Sequence, residues 1–480
     1  MRRCALRVSA ALALAVTACL PAVDPGRLQL DGVDRCDYLV KVVSRSPLKL
    51  DVHVSCVGRG VQGLRASSPA VAAGLANVRS AQAPLERAGS TFRFGRSLRR
   101  ASFDYQVDLE LLAKRHASID LALRSGRSLL APVSTFLMSP LPLDVGTEVH
   151  LRVQTPRGLP FSSGLRRSGD HYTLQAHELP VATYSVFGAV ERRTLSLGQA
   201  GQSTLELAFM DGTLAANADL FEHWVLRSAR AVADFYGSFP VPSALIVLAP
   251  TPGRSVRFGK LLPESAPGIV LLVGSDAGEA DLAADWVLIH ELFHLGVPSF
   301  HAEGRWFDEG LATYFEPIIR VRAGLLDERT LWRDFARAMP HGAAALSRGG
   351  LEHARSFRQI YWGGALYCLL ADVQARQTSR GKLGVEDGLR RVLSAGGHAS
   401  DVWALDRTLT IAEATLPAPI LSTLAARHAR SAGAVDLEAL FQALGVERVG
   451  DDVRLRQDAP LAWVRRAIVR PETSTAHPSR

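Results

Sequence analysis

The chain has 480 residues, 47% of them hydrophobic, enough apolar material for two or three domains with real cores. Its formal net charge is +8, from 55 Lys+Arg against 47 Asp+Glu, but the arginines are spread along the chain and no basic block of five or more appears. A nucleic-acid partner or a polybasic membrane patch usually needs such a concentration, so neither is expected.

The N-terminus opens with a basic leader, MRRCALR, followed by an apolar core, VSAALALAVTA. At about a dozen residues this core is too short to span a bilayer as a mature helix, and residues 1–22 read as an export signal. VTAC, ending at Cys19, resembles the lipobox of bacterial lipoproteins, although its first position is Val16 where Leu is usual. That resemblance implies a lipidated, N-terminal Cys19 attached to a membrane; ordinary cleavage after ACLPA is the alternative. Either route places the mature chain in the bacterial periplasm or at the outer membrane. No later apolar run is long enough to cross a bilayer.

From residue 23 to 214 alternating runs recur: LKLDVHVS, FDYQVDLEL, EVHLRVQT, YTLQAHEL and STLELAFM, separated by Gly, Pro, Ser and Asp. A period of two marks strands with one buried face, so this part is expected to be an all-β, sandwich-like domain. Cys36 and Cys56 lie in or beside two strand-like runs, and an oxidising compartment would permit a bridge between them. Cys368, in an apolar helical stretch, reads as a buried free thiol.

After residue 215 the period changes. ANADLFEHWVLRSARAVADFYG has helical spacing, with Asn217 or Asp219 near its start and Gly237 at its end. Two short strands follow, SALIVLAP at 243–250 and GIVLLVGS at 268–275, and from residue 279 almost everything reads as helix. The whole is an α+β multidomain chain: a β-rich part, a mixed part over 215–345 and a helical part over 346–480.

Within the mixed part, EADLAADWVLIHELFHLG reads as one helix, stopped by Gly296 and Pro298. His290 and His294 are four residues apart, so they share a face and can bind a single metal ion. Glu291 lies about 100° around the helix, where it can reach a water at the metal without being a ligand. An H-E-x-x-H string arises by chance in roughly one chain in a hundred of this length, and its plain alternative is two histidines satisfied in a helix interface. A zinc hydrolase site keeps three protein ligands and leaves the fourth position to water. Downstream, RWFDEGLATYFEPIIRVRAG reads as a second helix, and VPSFHAEG supplies the reversal between the two. Folded antiparallel, these helices bring Glu309 to the histidine face and complete a His₂Glu set for one Zn²⁺ per chain. His301 and Asp308 compete for the third position. The metzincin register asks for a histidine where Phe300 stands and a glycine where Val297 stands, which weighs against His301. Asp308 neighbours Glu309 but points elsewhere on the helix.

HELFH followed by WFDEGLATYFE is similar to the gluzincin metallopeptidases, most of all to the glycyl aminopeptidase branch, with the alanyl aminopeptidase and leukotriene hydrolase branch as relatives. The resemblance implies a thermolysin-like catalytic domain in which His290, His294 and Glu309 bind zinc and Glu291 is the general base. It extends to VPSALIVLAPTPGRSVRFGKLLPESAPGIVLLVG, similar to the segment that forms the edge of the catalytic sheet, and weakly to LLAPVSTFLMSP and YSVFGAV in the β-rich part. IYWGGALYCLLADVQARQ resembles the family's Y-x-K-G-A helix, which implies that Tyr361 stabilises the tetrahedral intermediate; a packed aromatic at a helix start is the alternative. The function implied is that of an exported zinc metallopeptidase acting on peptides or proteins.

The chain also departs from the family. The 14 residues between His294 and Glu309 are fewer than is usual, and Gly363 stands at the lysine position of Y-x-K-G. No G-A-M-E-N segment is legible, with GIVLLVGSDAG in its expected place, so amino- versus endopeptidase activity stays open. No PDZ-like domain is legible at the C-terminus. A second class of function stays open as well: a catalytically silent envelope protein that keeps the fold for binding or scaffolding. The intact Glu291 speaks against it, because binding alone does not need that carboxylate.

Overall fold

The computed structural model describes residues 32–198, 201–263 and 266–470. The expected signal segment and Cys19 lie outside them. Among the described residues, the first sheet has nine strands built around three long ones, Val33–Arg45, Leu48–Arg65 and Thr91–Asp108. Their alternation does what a period of two dictates: in Leu48–Arg65, Leu48, Leu50, Val52 and Val54 are buried while their neighbours face outward. Cys36 and Cys56 stand directly opposite each other in the first antiparallel pair and form a disulfide. Cys368 is a buried free cysteine.

A second sheet joins Phe161–Ser163, Tyr184–Gly188, Ser128–Pro132 and Leu123–Ser125. Its central strands are buried on both faces, and alternate residues serve different cores. Leu129, Ala131 and Phe187 pack with the nine-stranded sheet, which makes the sandwich. Leu130, Tyr184 and Val186 pack on the other side against Ala208, Met210, Leu245, Val247 and Val270 of a third sheet. The continuous apolar character of SLLAP and YSVFG therefore reflects a layer enclosed between two others.

The third sheet runs in the order Val190–Leu197, Ser203–Met210, Ser243–Thr251, Gly268–Gly274, Val256–Leu262. The three inner strands are parallel, and both edge strands are antiparallel to their neighbours. This sheet begins at Val190, before the expected division at residue 215. STLELAFM alternates like the strands preceding it, yet it pairs in parallel with Ser243–Thr251; partner choice is a tertiary matter that local alternation does not encode.

Helix Ala218–Tyr236 ends at Gly237, whose φ of 87° is the left-handed turn that glycine adopts freely. Its apolar face joins one large core with the helices that follow. The C-terminal part is helical apart from a hairpin, Val446–Val449 with Asp452–Leu455. None of the described helices is long and apolar enough to cross a membrane.

Candidate metal centre

The helix carrying the two histidines is shorter than its periodicity suggests. The predicted continuous helix is broken into Glu279–Ala283 and Val287–His294. Asp285 causes the break: its carboxylate accepts from the backbone N–H of Val287 and of Leu288, both at 3.0 Å, and so starts a new helix. Burial pushes the Asp285 pKa up to about 6 despite those bonds. At the other end, Tyr236 donates its hydroxyl to the Phe293 carbonyl at 2.9 Å. The Tyr236 ring lies so near Gly296 that a Cβ there would come within 2.3 Å of it.

Three donors converge. His290 Nε2 lies 3.3 Å from His294 Nε2 and 3.4 Å from Glu309 Oε2, and His294 Nε2 lies 3.8 Å from the same oxygen. His290 is buried, and all three ligand atoms fall within 4.8 Å of one another. Tetrahedral zinc with bonds of about 2.0–2.2 Å holds its ligand atoms roughly 3.3–3.5 Å apart, so the spacing suits that ion. Glu309 Oε2 is buried and receives no hydrogen bond of good geometry, as a ligand oxygen awaiting a cation would be. The 14-residue gap is sufficient. Its loop is tied to the C-terminal part through Ser299, whose N–H donates to Asp401 and whose carbonyl accepts from Trp403.

Of the two rivals for the third position, His301 is exposed at the turn before helix Arg305–Arg322 and lies outside the donor cluster. Asp308 has a different task from the one weighed for it. Its Oδ1 lies 2.8 Å from His294 Nδ1, which fixes the ring and leaves Nε2 toward the other donors. A carboxylate one residue before a candidate ligand glutamate is a signal that sequence reading could have used.

Glu291 is partly buried, and its Oε2 accepts from the backbone N–H of Leu261 at 2.8 Å. Leu261 belongs to Val256–Leu262, the antiparallel edge strand. The strand beside the histidine helix is therefore VRFGKLL; GIVLLVG is the inner strand behind it. Gly259 makes the approach possible, since a Cβ there would lie 2.6 Å from Val287 and 2.8 Å from Glu291.

Tyr361 begins the second turn of helix Phe357–Ser379, started by a capping box between Ser356 and Gln359. Its ring stacks on His290, with centroids 6.0 Å apart and planes 2° from parallel. Two glycines bring it there. A Cβ on Gly364 would lie 2.0 Å from the Trp306 carbonyl oxygen, and one on Gly310 would lie 2.4 Å from the Gly364 Cα. Helices Arg305–Arg322 and Phe357–Ser379 thus cross backbone on backbone, beside Glu309 on one and three residues past Tyr361 on the other. Further along, Tyr314 donates its hydroxyl to Asp372 at 2.8 Å and ties the same two helices again.

The electrostatics follow from the crowding. Burial works against the charged form of His294, but Asp308, Glu309 and Glu291 outweigh it and raise its pKa to about 10. Burial likewise opposes ionisation of Glu309, and His290 and His294 overcome that and hold it at about 2. Burial moves Glu291 upward against the pull of the two imidazoles. Tyr361 is raised by burial and then by the negative charge of Glu309.

No family model matches the chain, and no match is found among curated proteins. Among solved structures it is similar to an aminopeptidase N family protein from Idiomarina loihiensis, with a TM-score of 0.66 and 14% identity over 86% of this chain and 78% of that one. It is also similar to an M1 zinc metallopeptidase from Deinococcus radiodurans, with a TM-score of 0.52 and 17% identity over 84% of this chain and 96% of that one. A variant of the latter, bound to a Tyr-Ser-Ala substrate, matches at a TM-score of 0.52 and 17% identity, over 84% and 94% of the two chains. The chain shares the fold of these proteins.

Proposed function

We propose that the chain is an exported zinc-dependent metallopeptidase. His290, His294 and Glu309 hold one Zn²⁺, Glu291 is the general base, and Tyr361 assists the carbonyl oxygen. The observation that carries this reading is the convergence of three donors on one point, with a fourth acid beside them that donates nothing to the set. When bound, zinc supplies Lewis acidity, which acidifies water and polarises a peptide carbonyl. Glu291 takes the proton of the attacking water and returns it to the leaving amine; its raised pKa suits both transfers. Tyr361, kept protonated by its surroundings, donates a hydrogen bond to the carbonyl oxygen as negative charge develops there. Asp308 keeps His294 in the tautomer with a free Nε2. The outer edge of Val256–Leu262 offers backbone groups against which an extended peptide can lie.

The test is digestion of a peptide library by purified protein lacking residues 1–22, read by mass spectrometry. Cleavage is expected, with loss under a chelator and recovery on adding zinc. A zinc-loaded protein that cleaves nothing at several pH values would instead support a binding or scaffold protein.

The export reading rests on the basic and apolar leader, and the Cys36–Cys56 disulfide agrees with an oxidising compartment. Lipidation at Cys19 predicts that fractionated cells hold the wild type with membranes and release Cys19→Ser. Wild-type protein in the cytoplasm with its leader intact would contradict both parts.

A further inference from the structure

Arg305 and Glu309 are four residues apart and share a helix face, as do Phe357 and Tyr361 on the neighbouring helix. The two pairs form successive rungs. Glu309 and Tyr361 belong to the metal centre, and Arg305 lies over Phe357 one turn further out. The guanidinium carbon is 5.3 Å from the Phe357 ring centre, and Phe357 is 6.1 Å from Tyr361, which stacks on His290. Phe357 is 67% exposed, and Trp286, whose ring centre is 5.6 Å from that of His290 and perpendicular to it, is 50% exposed. Two large aromatic rings thus stand open to solvent around the donor set.

Arg305 is exposed and makes no ion pair among the described residues. The acids nearest to it along its own helix are committed elsewhere: Asp308 to His294, and Glu309 to the donor set. The contact with Phe357 holds the guanidinium over the ring but uses none of its five N–H donors. Arg305 also begins an 18-residue helix, whose N-terminal end favours negative charge.

We propose that Arg305 is a receptor for a substrate carboxylate, so that the preferred substrates are peptides carrying one near the scissile bond. This rests on the peptidase reading and deepens it. Arg305 stands about one helical turn, roughly 5.4 Å along the axis, from Glu309, and an extended peptide advances about 3.4 Å per residue, so the group recognised lies about two residues from the bond cut. An acidic side chain and a free C-terminal carboxylate share this chemistry, and a planar guanidinium binds either in a bidentate manner.

The experiment compares three peptides built on one cleaved sequence: neutral with an amidated end, neutral with a free C-terminus, and amidated with a Glu near the bond. The wild type should favour one or both carboxylate peptides, and which one identifies the source. Arg305→Ala should lower kcat/KM for the favoured peptide roughly 10- to 100-fold while leaving the neutral amidated peptide within about two-fold. Arg305→Lys should restore part of the loss, with zinc content unchanged in both variants. Equal loss on all three peptides, or no preference in the wild type, would overturn the proposal. If the wild type cleaves nothing, the peptidase reading fails, yet this one is still decided by binding. Zinc-loaded Glu291→Gln protein, followed by fluorescence anisotropy with the same labelled peptides, should bind the carboxylate forms more tightly, and adding Arg305→Ala should remove that difference. Equal affinities would reject it.

Discussion

Glu291→Gln is expected to bind zinc as the wild type does and to lose peptidase activity by about 10²–10⁴-fold, the usual worth of general-base catalysis. The substitution is nearly isosteric, and the amide oxygen can still accept the Leu261 N–H, so the packing of the edge strand on the histidine helix should survive. What the amide cannot do is take up a proton. Tyr361→Phe should cost less, because it removes one hydrogen bond to the carbonyl oxygen and leaves the proton acceptor in place. The measurement is kcat/KM beside zinc content by elemental analysis. Full activity in zinc-loaded Glu291→Gln would reject the mechanism and keep the metal site.

Glu309→Ala should leave the chain without stoichiometric zinc and without activity, since two histidines alone make an incomplete site. Asp308→Ala should be milder, weakening zinc affinity about 10- to 100-fold, because it frees the ring of His294 without removing a donor. The pH dependence has a definite sign. In the metal-free fold the pKa of His294 rises from its ordinary 6.5 to about 10, so its proton stabilises that fold fully below pH 6.5, and this stabilisation is lost as pH climbs through 10. Zinc needs a neutral imidazole, so loading near pH 7.5 should release about one proton from His294, and affinity should strengthen between pH 6.5 and 10. Titration calorimetry in buffers of different ionisation enthalpy measures that proton. Zinc retained in Glu309→Ala but lost in His301→Ala would move the third ligand.

The donor set was legible because helix periodicity put the two histidines on one face and the resemblance of WFDEGLATYFE to the gluzincins pointed to Glu309. His290 and His294 are one turn apart, and Glu309 stands on a second helix whose apolar positions declare its buried face. What escaped sequence reading is set by contacts between distant segments. The break at Asp285 needed a carboxylate to outbid the backbone for two amide protons, while a smooth helical pattern ran across it. The edge strand Val256–Leu262 is interrupted by charge and glycine, whereas GIVLLVG, of the same length, is wholly apolar and declares itself as a strand; burial explains the difference, because inner strands are enclosed on both faces and edge strands are not. Gly363 at the family's lysine position is explained locally: a Cβ there would already lie 2.5 Å from Leu351.

The crossing at Gly310 and Gly364 limits how this chain can be re-engineered. A designer can reshape the rim by exchanging Phe357, Trp286 or Arg305, whose side chains end in solvent. The placement of Glu309 against Tyr361 offers no such handle. It is set by two main chains in direct contact, and no residue smaller than glycine exists with which to bring them closer. Any larger one must wedge them apart and carry Glu309 away from Tyr361. If the proposed peptidase reading holds, changes of specificity are separable from changes of chemistry, and the division between them falls one helical turn out from Glu309.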